Sequence, residues 1–247
     1  MIRFFRTIRH NLMDENKTVK YLKYALGEFI LVVLGILVAL QINTWNEGRK
    51  LQQQRVELIE NLKIDFHTNI RRLNESLSKS QDVLENQDKL LKVIYNNGHM
   101  SVAELRSMVG QFGRAVTFQP TLGSYRSALS TGEIGLIKDS HLHELFTMFE
   151  DANMRFQSNR EVSRFDLITG QGYELRRQYG SLEALGDRGL FIPEPLELSD
   201  EEYRASLAQK ETYAIFENRN EINERLHRAL KSLKEVSEQI MTALDAL

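Results

Sequence analysis

The sequence contains no cysteine, only three prolines and, between Glu28 and Glu47, no charge. The missing cysteines exclude disulfides, thiolate metal sites, a cysteine nucleophile and a lipid-modified cysteine anchor. The prolines are Pro120, Pro193 and Pro195, so nothing before residue 120 forces a helix to break. No catalytic constellation stands out either. In His141-Leu142-His143-Glu144, a helix turns the two histidines about 160° apart, away from any shared metal-binding face. Gly132-Glu133-Ile134-Gly135 and Gly170-Gln171-Gly172 lack both the spacing and the preceding strand of a nucleotide loop. Ser124, Ser127 and Ser130 have no nucleophile-elbow context. Carboxylates are scattered over helix faces, and the arginines form no basic aromatic platform for nucleic acid. The residues therefore point to a non-enzymatic protein with no cofactor, no metal and no nucleic-acid partner.

The uncharged stretch is the strongest positive feature. Phe29 to Leu40 is a run of twelve residues that are all apolar or glycine. Such a run alone suits a core helix as well as a membrane span. Its flanks decide for the span, because Tyr21 and Tyr24 stand at one end and Trp45 at the other, in the manner of interfacial aromatic belts. A helix from Tyr24 to Trp45 covers about 30 Å, the thickness of a bilayer's hydrocarbon core. A cleavable signal peptide fits less well, since the basic region is long and Gln-Ile-Asn-Thr-Trp follows Leu40 in place of a small-x-small site.

Charge sets the expected orientation. Residues 1–23 hold six Lys/Arg against two acids, a net of +4, and the remainder has 26 basic against 32 acidic residues, a net of −6. Basic residues stay on the cytoplasmic side, so the N-terminus is expected in the cytoplasm and the body in the periplasm. Arg49, Lys50 and Arg55, just beyond the span, pull the other way without reversing the balance. The expected organisation is a basic leader over 1–17, a transmembrane anchor over 18–46 and a periplasmic body over 47–247. In the leader, Ile2, Phe5, Ile8 and Leu12 share one helical face, with Arg3, Arg6 and Arg9 on another. Those arginines either contact anionic headgroups from an interfacial helix or simply fix topology.

Glu28 is the one acid within the anchor. Gly35 and Ala39, seven and eleven residues on, share its face. Gly35-x-x-x-Ala39 is a small-x-x-x-small pattern that lets helices approach closely. Glu28 then either faces a partner helix, as intramembrane acids commonly do, or reaches the headgroups from its position near the edge. At the other end Gln41, Asn43, Trp45 and Asn46 form a polar and aromatic collar, which either contacts neighbouring helices or is solvated at the interface.

The body reads as all-α. Ile59, Leu62, Phe66, Ile70, Leu73, Leu77, Leu84, Leu91 and Ile94 recur at heptad-like steps, so one amphipathic helix runs from the membrane to about Tyr95, a rod of about 70 Å beyond Glu47. Ser101-x-x-Glu104 and Ser199-x-x-Glu202 are capping boxes. Pro120-Thr121 opens a short helix closed by Gly132, and Ile134, Leu136 and Ile137 form an apolar plug. A long amphipathic run capped by Asp139 or Ser140 follows. Its expected core is Leu142, Leu145, Phe146, Phe149, Phe156, Phe165, Ile168, Leu175 and Tyr179, with a break near Gly170 and Gly172. Residues 180–199 read as an irregular loop. One helix is then expected through Tyr203, Leu207, Tyr213 and Phe216, before a final stripe of Ile222, Leu226, Leu230, Leu233, Ile240, Leu244 and Leu247 that packs antiparallel on the stalk.

Residues 1–47 resemble the opening of a family of uncharacterised single-pass membrane proteins of Bacteroidota, in which a basic leader runs into a GE-(apolar)-GIL-x-ALQIN-x-WNE anchor. The matching positions are Gly27, Glu28, Gly35, Ile36, Leu37, Ala39, Leu40, Gln41, Ile42, Asn43, Trp45, Asn46 and Glu47. Pro120 to Leu142 is similar to the same family's middle region. The resemblance implies a bacterial inner-membrane protein and carries no catalytic residues with it. Three functions are therefore expected in descending order. The first is a scaffold, partner-binding subunit or sensor whose partners are membrane lipid and either a second copy or another envelope protein. The second is a subunit of an oligomeric pore with Glu28 at the helix interface. The third is an enzyme with a site near the 180–199 loop.

Overall fold

The computed structural model describes residues 18–95, 98–111, 116–175 and 198–247. The leader arginines Arg3, Arg6 and Arg9, the loop residues 180–197, Tyr179 and the side chain of Leu175 lie outside what it describes. Among the described residues every regular element is helical: α1 (Thr18–Tyr95), α2 (Val102–Gln111), α3 (Gly123–Thr131), a 3-10 turn (Glu133–Leu136), α4 (Ser140–Thr169), α5 (Gln171–Leu175), α6 (Asp200–Leu207) and α7 (Lys210–Asp245). The fold class is all-α. Two compact units divide within α1, one ending at Glu57 and the other starting at Leu58.

In the first unit, α1 is long and apolar enough to cross a membrane. Its side chains from Leu22 to Trp45 are exposed on every side of the helix. A helix that is apolar all round cannot hide one stripe against one neighbour; it needs an apolar solvent or several neighbours.

The second unit is a bundle. Its α1 and α7 segments run antiparallel, because contacts step backward on one as they step forward on the other: Lys63 with Asp245 (3.1 Å), Ser80 with His227 (3.2 Å) and Tyr95 with Tyr213 (ring centroids 4.3 Å). α4 packs along α7. The main core joins Leu62, Phe66 and Leu73 of α1 to Phe146, Phe149 and Phe156 of α4 and to Leu226, Leu230, Leu233, Ile240 and Leu244 of α7. Phe66 sits at its centre, with its ring 5.2 Å from that of Phe149 and edge-on to it.

Local signals place several helix ends. Ser101 and Glu104 bond reciprocally across the first turn of α2 (3.2 and 3.0 Å), and Ser199 and Glu202 do the same for α6 (3.4 and 3.0 Å). The Ser101 and Ser199 hydroxyls also donate to these carboxylates (2.9 and 2.6 Å), and those bonds, with the backbone amides second, hold the Glu104 and Glu202 carboxyls below their usual range. Asp139 caps α4 by accepting from the Leu142 amide (3.1 Å). Gly132 ends α3 at φ 79°, a left-handed conformation that favours glycine.

The start of α3 needs a distant residue. Leu122, at its N-cap, offers no side-chain acceptor. Asp65 of α1 accepts from the Ser124 amide instead (2.9 Å). One turn along α1, Asn69 both donates to the Thr121 carbonyl (2.9 Å) and accepts from the Thr121 amide (2.7 Å), and Ser76 donates to the Thr117 carbonyl (3.2 Å). Asp65, Asn69 and Ser76 are therefore buried polar residues that clip the α2–α3 connection onto α1, with their hydrogen bonds made.

Five expectations are corrected. Phe165 and Ile168 are 68% and 51% exposed, because the 3.6-residue period carries the buried face of α4 from Phe156 through Ser163 and Asp166 to Leu167. The stripe through Leu77, Leu84 and Leu91 is only half-buried, and the buried centre of α1 passes one residue to its side, through Ser76, Ser80, Gln87 and Leu90. The helix expected through Tyr203 and Phe216 breaks at Ala208–Gln209, where the Thr212 hydroxyl donates to the Ser206 carbonyl (2.9 Å). In the apolar plug only Ile137 is fully buried, and Leu247 at the chain's end is exposed.

Candidate functional site

Helical geometry in α1 places Gly35 and Ala39 about 20° to either side of Glu28, on one face. Asn46 lies five full turns after Glu28 and so extends the same face to the far end of the apolar stretch. All four are exposed, and no atom stands within 4 Å of where a Cβ on Gly35 would be. The collar divides: Asn43 lies towards this face, whereas Gln41 and Trp45 lie one turn apart on another side. Asn43 donates its amide to Glu47 (2.8 Å) and the Thr44 hydroxyl donates to the Leu40 carbonyl (2.9 Å), so part of the collar's polarity is satisfied within the helix.

The body holds a second polar constellation that the sequence pattern did not single out. Arg219 of α7 and Asp166 of α4 form an ion pair (3.5 Å) and are 2% and 6% exposed. The same Arg219 nitrogen donates to the Ser163 carbonyl (3.4 Å), and the Gly172 amide donates to the other Asp166 oxygen (3.1 Å). Glycine is required at both turns around this carboxylate: a Cβ on Gly172 would lie 2.3 Å from Asp166 Oδ2, and one on Gly170 would lie 2.8 Å from Asp166 Cα. Removing Arg219 would leave the Asp166 carboxylate buried with the Gly172 amide, a costly state for a charge. The antiparallel register puts Gln87 of α1 level with Arg219 and Asn223. Asp166 and Arg219 are 53 residues apart in sequence, and the only local signal is an acid followed by two close glycines.

The two histidines at the start of α4 differ in their surroundings. His143 bonds the Ile137 carbonyl through its ring (2.8 Å), while the exposed His141 faces Glu144 (3.9 Å). An open cleft of about 600 Å³ beside His141 is lined by Asp139, Glu235, Glu238 and Gln239. Among the described residues no three His, Cys, Asp or Glu converge as a metal site.

Fold and site define a class: among the described residues, a helical protein with one helix long and apolar enough to cross a membrane and a helical bundle with a buried ion pair. The chain belongs to a family of unknown function, DUF6090, which matches residues 28–168. The match starts at Glu28 and takes in Gly35, Ala39, the collar, the Asp65–Asn69 clip and Asp166, but stops short of Arg219. No curated protein and no solved structure matches the chain.

Proposed function

We propose that this protein is a non-enzymatic, single-pass module of the bacterial inner membrane, with a cytoplasmic N-terminus and a periplasmic body. It acts as a scaffold, partner-binding subunit or sensor, and it self-associates through Glu28, Gly35 and Ala39. The observation that carries this reading is the exposed, apolar-all-round stretch of α1 with a carboxylate and two small residues on one face. The basic leader and acidic body support the orientation. The likeness of the GE…GIL-x-ALQIN-x-WNE anchor to membrane proteins of Bacteroidota supports the compartment. The partners are lipid and a second copy or another envelope protein.

Crosslinking in native membranes tests the reading. The wild-type chain is expected to give oligomers, and Gly35→Leu, which fills the open position, is expected to weaken them. A protein that stays monomeric, or oligomers that Gly35→Leu leaves unchanged, would remove self-association through this face.

A further inference from the structure

The buried residues of the body form two apolar clusters. The larger joins Leu58 to Leu73 of α1, Leu142 to Phe156 of α4 and Ile222 to Leu244 of α7, together with residues of the α2–α3 connection and α3. The smaller joins Leu90 at the end of α1, four residues of α2, Tyr203 and Leu207 of α6, and Phe216 of α7. The two helices with residues in both clusters carry polar side chains between them, Ser80 and Gln87 on α1 and Arg219 and Asn223 on α7, and α4, which belongs only to the larger cluster, adds Ser163 and Asp166 at its end.

Three residues of this layer are buried with unbonded polar atoms. Gln87, Ser163 and Asn223 are 1%, 2% and 3% exposed, and both amide atoms of Gln87, the Ser163 hydroxyl and the Asn223 amide nitrogen have no hydrogen-bond partner. Buried polar atoms without partners are exceptions that call for a reason, since each keeps its full desolvation cost. The contacts that Arg219 Nη1 makes across the layer, at 3.4 and 3.5 Å, are long for charge-assisted bonds. The smaller cluster is closed by short elements. α2 has ten residues and α6 has eight. Arg106 of α2 lies over the Tyr203 ring (4.5 Å) and donates to the Leu198 carbonyl (2.7 Å), and Arg204 of α6 donates to the Met100 carbonyl.

We propose that the polar layer is a built-in opening plane: α2, α6 and the first turns of α7 open as one unit with the smaller cluster, while the larger cluster stays closed. Cooperativity between regions travels through continuous apolar packing, and here that packing is interrupted. Water admitted on opening would satisfy Gln87, Ser163 and Asn223, so the layer itself favours the open state. Opening would expose Leu90, Leu105, Tyr203, Leu207 and Phe216 and give the body a second state. The inference goes beyond the proposed function and does not depend on self-association of the anchor.

Hydrogen exchange on the full chain in lipid nanodiscs tests it. Amides of α2, α6 and Thr212–Phe216 are expected to exchange with one common rate, at least about tenfold faster than those around Phe149 in α4 and Leu233 in α7. Gln87→Leu is expected to slow the fast group towards the slow one, because it removes the unpaired amide. Phe216→Ala is expected to speed the fast group alone. A single rate across both clusters would overturn the proposal, as would unrelated rates among α2, α6 and Thr212–Phe216. So would a Gln87→Leu variant that leaves the fast group unchanged, or a Phe216→Ala variant that speeds both groups equally.

Discussion

One helix, α1, carries its apolar residues in two ways. From Leu22 to Trp45 they point in all directions and are exposed, with Leu31 (71%) about as open as Leu22 (69%) on the opposite side of the helix. From Leu58 onward they gather on one stripe, and Leu62, Phe66 and Leu73 are completely buried by α4 and α7. Composition separates the two stretches, since the first has no charge between Glu28 and Glu47, and angular distribution separates them again. An apolar stripe asks for a neighbouring helix; an apolar cylinder asks for a different solvent.

The sharpest break of this comparison is at the stripe's centre. Phe66→Ala removes the ring that meets Phe146 and Phe149, and is expected to destabilise the body by about 3–5 kcal/mol in thermal or denaturant unfolding of the full chain. Phe165→Ser, at a position expected to be core but found exposed, is expected to change stability by no more than about 0.5 kcal/mol. Equal losses at the two positions would mean that the face of α4 has been assigned wrongly.

A smaller effect separates the two stretches of α1 directly. Leu34→Arg puts a charge at the middle of the apolar cylinder and is expected to raise the cost of membrane insertion by about 2.5–3.5 kcal/mol, read as a lower fraction of protein resisting alkaline extraction. Ile64→Arg, on the solvent side of the stripe, is expected to leave that fraction unchanged. The same loss from both would contradict the division.

The smallest effect lies at the edge of the buried layer. Burial against the bundle, and then the charge of Lys231, lowers the pKa of His227 from its ordinary value near 6.5. The unfolded chain therefore binds this proton more readily than the folded one. Its contribution to stability is complete above the ordinary value and declines as pH falls through it, levelling off below the folded value. His227→Gln is expected to lose less stability than the wild type between pH 7.5 and pH 5.5, as measured by Tm. An identical pH dependence in the two proteins would remove His227 as a contributor.

Local chemistry was the legible part of the fold. Ser101, Asp139 and Ser199 announce helix starts, and Gly132 announces an end, because each acts on amides or carbonyls within a few residues. The end of α1 at Tyr95 and the core of α7 follow from periodicity. What the pattern could not give is which polar residues sit on the buried face. The apolar positions alone put the seam of α1 on Leu77, Leu84 and Leu91, whereas the buried seam includes Ser76, Ser80 and Gln87. Phe165 and Ile168 were misplaced for the same reason, since Ser163 and Asp166 take the buried positions. Asp166 owes its place to Arg219, a partner with no local relation to it. Of the candidate contact face, Glu28, Gly35 and Ala39 follow from sequence and helix geometry, because the whole constellation lies on one helix.

The proposed topology, with the stretch from Tyr24 to Trp45 spanning a membrane and the body on the far side from the leader, is open to a direct test. The absence of native cysteine makes single-cysteine accessibility the most direct measurement. In cells with a permeabilised outer membrane, an impermeant maleimide is expected to label Glu144→Cys, on an exposed turn of α4. It is expected to label Asn11→Cys only after the inner membrane is broken. Labelling of both positions before that step, or of neither, would contradict the account.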